Sequence, residues 1–172
     1  MAATRCIVLW FGRDLRVHDH PALAAVGDAP VVPLFVLDEA ALGEPGGAAR
    51  WWLHGSLEAL DGALRERGSR LTLRRGPAAG ALASVLAETG GTLVHAEEAT
   101  EPGALRVQDG VAARLAGSAE LRRFPANLLH DPAAIRTGSG LPFRRNLRGD
   151  LQDVTGDQAV REMIAQSRSN PN

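Results

Sequence analysis

Cys6 to Phe11 is an unbroken apolar run rich in Ile, Val and Leu, and Val31 to Leu37 is a second, interrupted only by Pro33. Runs of this kind suit strands covered on both faces of a parallel sheet. Leu71 to Leu73 and Thr92 to Ala96 repeat the pattern more weakly, and Glu120 to Phe124 reads as a fifth strand. Between them the period changes. From Ala49 to Arg67 the residues Leu53, Leu57, Leu60 and Leu64 recur at helical spacing, which places one leucine stripe against the sheet. Ala78 to Thr89 offers Ala78, Leu82, Val85 and Leu86 on one face and stops at Gly90-Gly91, as a helix C-cap should. A further helix is expected after Thr100-Glu101-Pro102, with Thr100 as cap, Pro102 in the first turn, and Ala104, Val107, Val111 and Leu115 inward.

Strands alternating with helices predict an α/β fold, a Rossmann-like open parallel five-stranded sheet with helices on both faces. Ligands in such sheets bind beyond the carboxyl ends of the strands, where strand order reverses. Attention therefore falls on the segments after Phe11, Leu37 and Ala96. From Arg144 onward Arg, Asp, Gln, Ser and Asn dominate, so a domain over 1–143 is expected, followed by a polar tail over 144–172. Val160, Met163 and Ile164 give that tail one short helix.

The 172 residues suit one domain, and 45% hydrophobic with 23% charged residues is an ordinary globular balance. A net charge of -1 supplies no global attraction to phosphate backbones or anionic membranes, so no direct DNA or membrane binding is expected. Every basic residue is Arg, which excludes a Schiff-base or P-loop lysine. The single cysteine, Cys6, has no internal disulfide partner, and with no leader or long apolar span in view the expected compartment is the cytoplasm. His18, His20, His54, His95 and His130 show no metal-ligand spacing, so they are read as exposed or satisfied and no metal is expected. Neither a dinucleotide fingerprint nor a nucleophile elbow occurs; Gly138-Ser139-Gly140 opens no helix turn of the right kind.

The loop after the first strand runs Trp10-Phe11-Gly12-Arg13-Asp14-Leu15-Arg16-Val17-His18-Asp19-His20-Pro21-Ala22-Leu23. Read alone, it is a charged loop in which Arg13, Asp14, Arg16 and Asp19 pair with one another and cap the next helix. It also resembles the signature W-F-R-x-D-L-R-x-x-D-N-P-A-L of the DNA photolyase and cryptochrome family, with His20 where that family usually has Asn. Leu34 to Asp38, Ala49 to Leu57, Gly68 to Leu71, Arg75-Gly76, Thr100-Glu101-Pro102 and Ile135 to Phe143 continue the likeness in order.

The resemblance implies the family's amino-terminal antenna domain without the helical flavin domain, so no FAD and no catalytic residue is expected in this chain. The family's electron-transfer tryptophans belong to the missing part, and Trp10, Trp51 and Trp52 do not take that role. By the same resemblance Phe35, Asp38 and Arg50 occupy antenna-pocket positions, and Arg13 and Glu101 complete the candidate set. The implied ligand is a deazaflavin or FMN pigment, or a nucleotide. The plain alternative keeps Phe35 as core and Asp38 with Arg50 as a loop-tying ion pair. Gly103 and Ala104 stand where folate binders carry Asn and Glu, which argues against a folate antenna. A separate flavin-domain partner or self-association is the expected partnership, and split photolyase and a repurposed nucleotide- or protein-binding domain remain the alternatives.

Overall fold

The computed structural model describes residues 6–42 and 46–125. The expected boundary at 143, the 135–143 motif, His130 and the short tail helix lie outside the described residues. Five strands, β1 (Ile7–Phe11), β2 (Val31–Leu37), β3 (Thr72–Arg75), β4 (Leu93–Glu97) and β5 (Glu120–Phe124), alternate with helices. The helices are α1 (Pro21–Ala24), α2 (Glu39–Leu42), α3 (Gly47–Arg65), α4 (Ala78–Thr89) and α5 (Pro102–Leu115).

All strand pairs are parallel, in the order β3-β2-β1-β4-β5. The central strand β1 is buried at every position, as its unbroken apolar run requires. Alternation sorts the side chains into two layers. Val8, Trp10, Leu34, Val36, Val94 and Ala96 face α4 and α5, meeting Leu82, Val85, Val111 and Leu115. Leu9, Phe11 and Phe35 face the other way, toward Ala22 of α1 and Leu60 and Leu64 of α3. Helices thus cover both faces, and each fully buried leucine contributes about 1.5–3 kcal/mol.

The edges differ from the centre. β3 and β5 alternate exposed and half-buried positions and carry Arg74, Arg75, Arg122 and Arg123, charges that guard an edge against further pairing. α4 ends at Gly90, whose φ of 66° is left-handed and favours glycine. The next glycine is required by space: a Cβ on Gly91 would sit 2.8 Å from the Cys6 carbonyl oxygen.

Several details depart from expectation, among them β3, which spans Thr72–Arg75 rather than Leu71 to Leu73, and α3, which spans Gly47–Arg65 rather than Ala49 to Arg67. The N-cap of α5 is Glu101 rather than Thr100, because Pro102 occupies the first helical position and the chain is extended just before it. The inward face of α5 also includes a buried Gln108, which joins Val111 and Leu115.

From β1 the chain moves through α1 to β2 and on to β3, then returns through α4 to β4 on the opposite side of β1. The order therefore reverses between β1 and β4. In open α/β sheets the loops that follow two such strands diverge at the carboxyl end and leave a crevice there.

Candidate functional site

The loop that forms one wall of this crevice is held by a buried polar core. Asp14 accepts the Gly12 N–H through Oδ1 at 2.7 Å, and its Oδ2 lies 2.6 Å from His20 Nε2. His20 is the N-cap of α1, and its Nδ1 accepts the Leu23 N–H at 3.2 Å. An accepting Nδ1 carries no proton, so the ring hydrogen is on Nε2, the nitrogen that faces Asp14, although the two atoms are not aligned for a hydrogen bond. The ring also meets Phe11 edge-on, with centroids 5.2 Å apart. Asp19 has a φ of 48°, a left-handed value that Asp tolerates, and its carbonyl accepts two hydrogen bonds from Arg16.

Two ion pairs cross from this loop to the β4 side. Arg13 pairs with Glu101, both on the surface, and Arg16 Nη2 reaches Glu97 Oε1 at 2.9 Å in a more enclosed setting. Gln108 of α5 fixes the opposite wall: its amide donates to the Glu97 carbonyl at 2.8 Å, and its oxygen accepts the Ala99 N–H at 3.1 Å.

Of the other three candidates, Phe35 and Asp38 belong to the end of β2 and Arg50 to α3. Phe35 lies within the strand, and its side chain belongs to the layer under α3. Asp38 bridges two helices: Oδ1 accepts the Ala41 N–H of α2 at 3.1 Å and Oδ2 accepts the Ala78 N–H of α4 at 2.9 Å. That second bond supplies the cap that Pro77, at the N-cap of α4, cannot give. Arg50 stands exposed in the first turn of α3, a turn with no acidic residue and no side-chain cap. The structure therefore brings Arg13 and Glu101 together at the switch point, places Phe35 and Asp38 in and just after β2, and puts Arg50 in the first turn of α3.

The model of the family described as DNA photolyase matches residues 7–146. The chain belongs to the DNA photolyase family. Against curated proteins it is 35% identical over 144 residues to the deoxyribodipyrimidine photo-lyase of Agrobacterium fabrum, covering 82% of this chain and 30% of that protein. It is 37% identical over 146 residues to cryptochrome-1 of Arabidopsis thaliana, covering 80% of this chain and 21% of that one. Among solved structures, a bacterial class III photolyase from Agrobacterium tumefaciens superposes with a TM-score of 0.77 at 31% identity, over 92% of this chain and 33% of that one. An archaeal photolyase from Sulfolobus tokodaii shares the fold, with a TM-score of 0.65 at 22% identity. The chain spans about a third or less of these relatives, and what it matches is their amino-terminal α/β domain.

In this photolyase-family domain three side chains have structural roles that the sequence reading did not assign. His20 acts as a cap through a ring nitrogen, a role usually read from Ser, Thr, Asp or Asn. Gln108 is polar and so reads as a surface residue, although it stands four residues after Ala104 and three before Val111 on the inward stripe. His95 is buried in β4: Nδ1 meets the Ala22 carbonyl at 3.1 Å, the ring packs on Phe124 at 4.7 Å, and Nε2 has no hydrogen-bond partner. Burial pushes its pKa down, against the Ala22 hydrogen bond and with help from Arg122. Among the described residues no group of three His, Cys, Asp or Glu side chains could hold a metal ion. No helix is long and apolar enough to cross a membrane, again among the described residues. A shallow cavity of about 250 Å³, lined by Leu86, Gly91, Leu115 and Ala119 among others, opens at the amino end of the strands, opposite the crevice.

Proposed function

We propose that this domain binds a flat, anionic pigment of the deazaflavin or FMN type, or a nucleotide, beyond the carboxyl ends of its strands, and that it has no repair activity alone. The observation that carries the reading is the reversal of strand order between β1 and β4, with Arg13 and Glu101 exposed across the crevice it creates. Arg50 adds a second guanidinium at an uncapped helix start, where backbone N–H groups favour an anion. Asp38 and Phe35 would form the supporting floor: the carboxylate holds two helix starts in place, and the ring fills the layer beneath.

A bound pigment of this class would absorb light, and the chain's part is to orient it and neutralise its charge. The likeness to a photolyase supports a light-collecting role, and the Sulfolobus tokodaii structure contains two FAD molecules, with the implication of a novel light-harvesting cofactor. A second reading, in which the domain works with a flavin-domain partner in dimer repair, is favoured by the photo-lyase relative of which it spans 30%.

Titration of FMN, a deazaflavin and ATP into the wild type and Arg50→Ala tests the proposal. A lost charge-assisted contact is worth about 1.5–3 kcal/mol, so the variant should bind roughly ten- to a hundredfold more weakly at an unchanged melting temperature. No binding by the wild type would sink the reading. Equal binding with a lower melting temperature would make Arg50 a purely structural residue.

A further inference from the structure

Trp51 and Trp52 are 73% and 72% exposed, at the start of a helix whose leucine stripe is already buried. At 100° per residue they flank a line of small residues, Ala48, Gly55, Ala59 and Gly62, all exposed, on the side of α3 opposite Leu60 and Leu64. Neither glycine is demanded by the chain itself. A Cβ at Gly55 or Gly62 would meet nothing within 4 Å, and neither has a positive φ. Each nevertheless weakens the helix by about 0.8–1 kcal/mol relative to Ala. Gly80, Gly103 and Gly110 are equally open, but no exposed tryptophan stands beside them.

We infer that this face of α3 is a self-association surface, on which α3 of a second copy packs antiparallel about a twofold axis near Ser56, the middle of the helix. The pattern is self-complementary: the large residues lie at one end and the small ones run to the other. An antiparallel mate therefore lays its indoles over Ala59 and Gly62, where missing side chains let two helix backbones approach. Polar pairing agrees with this register. His54 and Glu58 flank the line on the same side and are exposed, and the twofold sets His54 of each copy opposite Glu58 of the other. Four indoles at roughly 150–250 Å² each supply much of the about 1,200 Å² at which specific interfaces begin. Arg50 lies on another side of the helix, so the inference stands apart from the ligand proposal.

Sedimentation equilibrium of the full chain should show a monomer–dimer equilibrium with a dissociation constant on the order of micromolar. The Trp51→Ser/Trp52→Ser pair and, separately, Gly55→Leu should each raise that constant at least about tenfold, and Gly55→Leu should do so without destabilising the monomer, because it also removes a helix-weakening glycine. In a Cys6→Ser background, Gly55→Cys should form an intermolecular disulfide on oxidation. Ala48→Cys should not, because its symmetry mate is roughly 24 Å away along the helix. A wild type that stays monomeric to near-millimolar concentration overturns the inference. So does a dimer that survives both sets of variants, or one cross-linked through Ala48→Cys and not through Gly55→Cys.

Discussion

His20 Nε2 lies 2.6 Å from Asp14 Oδ2, with side-chain exposures of 0% and 4%, directly beneath the loop that walls the crevice. One imidazole thereby caps a helix start with one nitrogen and stands against a buried carboxylate with the other. Accepting the Leu23 N–H at Nδ1 puts the ring proton on Nε2, the nitrogen that faces Asp14.

His20→Ala should therefore remove a cap and the imidazole that stands against a buried carboxylate, for a combined loss of about 2–4 kcal/mol. His20→Asn keeps a capping oxygen but is too short to serve Asp14 as well, so its loss should be intermediate. Urea unfolding of the three proteins checks the order. An alanine variant as stable as the wild type would show that water replaces the imidazole at no cost.

Segments bounded by strong punctuation were legible in the sequence. β2 and α4 begin and end where Pro30, Asp38, Pro77 and Gly90 place them, and the two-faced burial of β1 follows from its composition. β3 was displaced by a few residues because half its positions are arginine. Its register with β2, Leu34 with Thr72 through Leu37 with Arg75, is set by hydrogen bonding that hydropathy does not report. α2 is four residues long and was invisible for the same reason. At the site, residue types suggested charge and stacking, but the Asp14–His20 pair and the double cap by Asp38 depend on contacts that only the fold creates.

His95 makes the stability depend on pH in a separable window. Burial lowers its folded pKa below the model-compound value of 6.5, so the unfolded chain takes up the proton first. Stability is then fully present above about pH 6.5 and falls as the pH drops through the unfolded value toward the folded one. Asp61 and Glu120 also have lowered values, from 3.8 and 4.5, through hydrogen bonds to Leu71 and Arg122 respectively; their losses come at more acid pH. Melting temperatures between pH 6.5 and 5 should slope downward in the wild type. His95→Gln, which can still donate to the Ala22 carbonyl, should flatten that slope. An undiminished slope would assign the effect to another group.

Glycine substitutions should split by sign. Gly91→Ala puts a methyl 2.8 Å from the Cys6 carbonyl oxygen and 3.3 Å from Leu86 Cδ2, so β1 or the end of α4 must shift, at about 1–3 kcal/mol. Gly110→Ala, in an exposed helical position with nothing within 4 Å, should stabilise by about 0.5–1 kcal/mol. Thermal melts of both variants decide it. A neutral Gly91→Ala would mean that the turn between α4 and β4 yields freely.

The Arg13–Glu101 pair sets the last expectation. Its side chains are 75% and 52% exposed, and exposed pairs contribute about 0–1 kcal/mol, so breaking it should scarcely alter the melting temperature. Its effect on ligand binding should be larger. An anionic ligand entering the crevice competes with Glu101 for Arg13, and removing the competitor frees the guanidinium in advance. Glu101→Gln should therefore strengthen FMN binding, by up to about fivefold if the pair is worth 1 kcal/mol. Arg13→Ala should weaken it, and in that background Glu101→Gln should have no further effect, because the contact it competes for is gone. Calorimetric titration of the wild type, both single variants and the double variant closes the cycle. If Glu101→Gln weakens binding, the carboxylate is itself a ligand contact and the exchange does not occur; if the two effects simply add, Arg13 and Glu101 act on the ligand independently of their pairing.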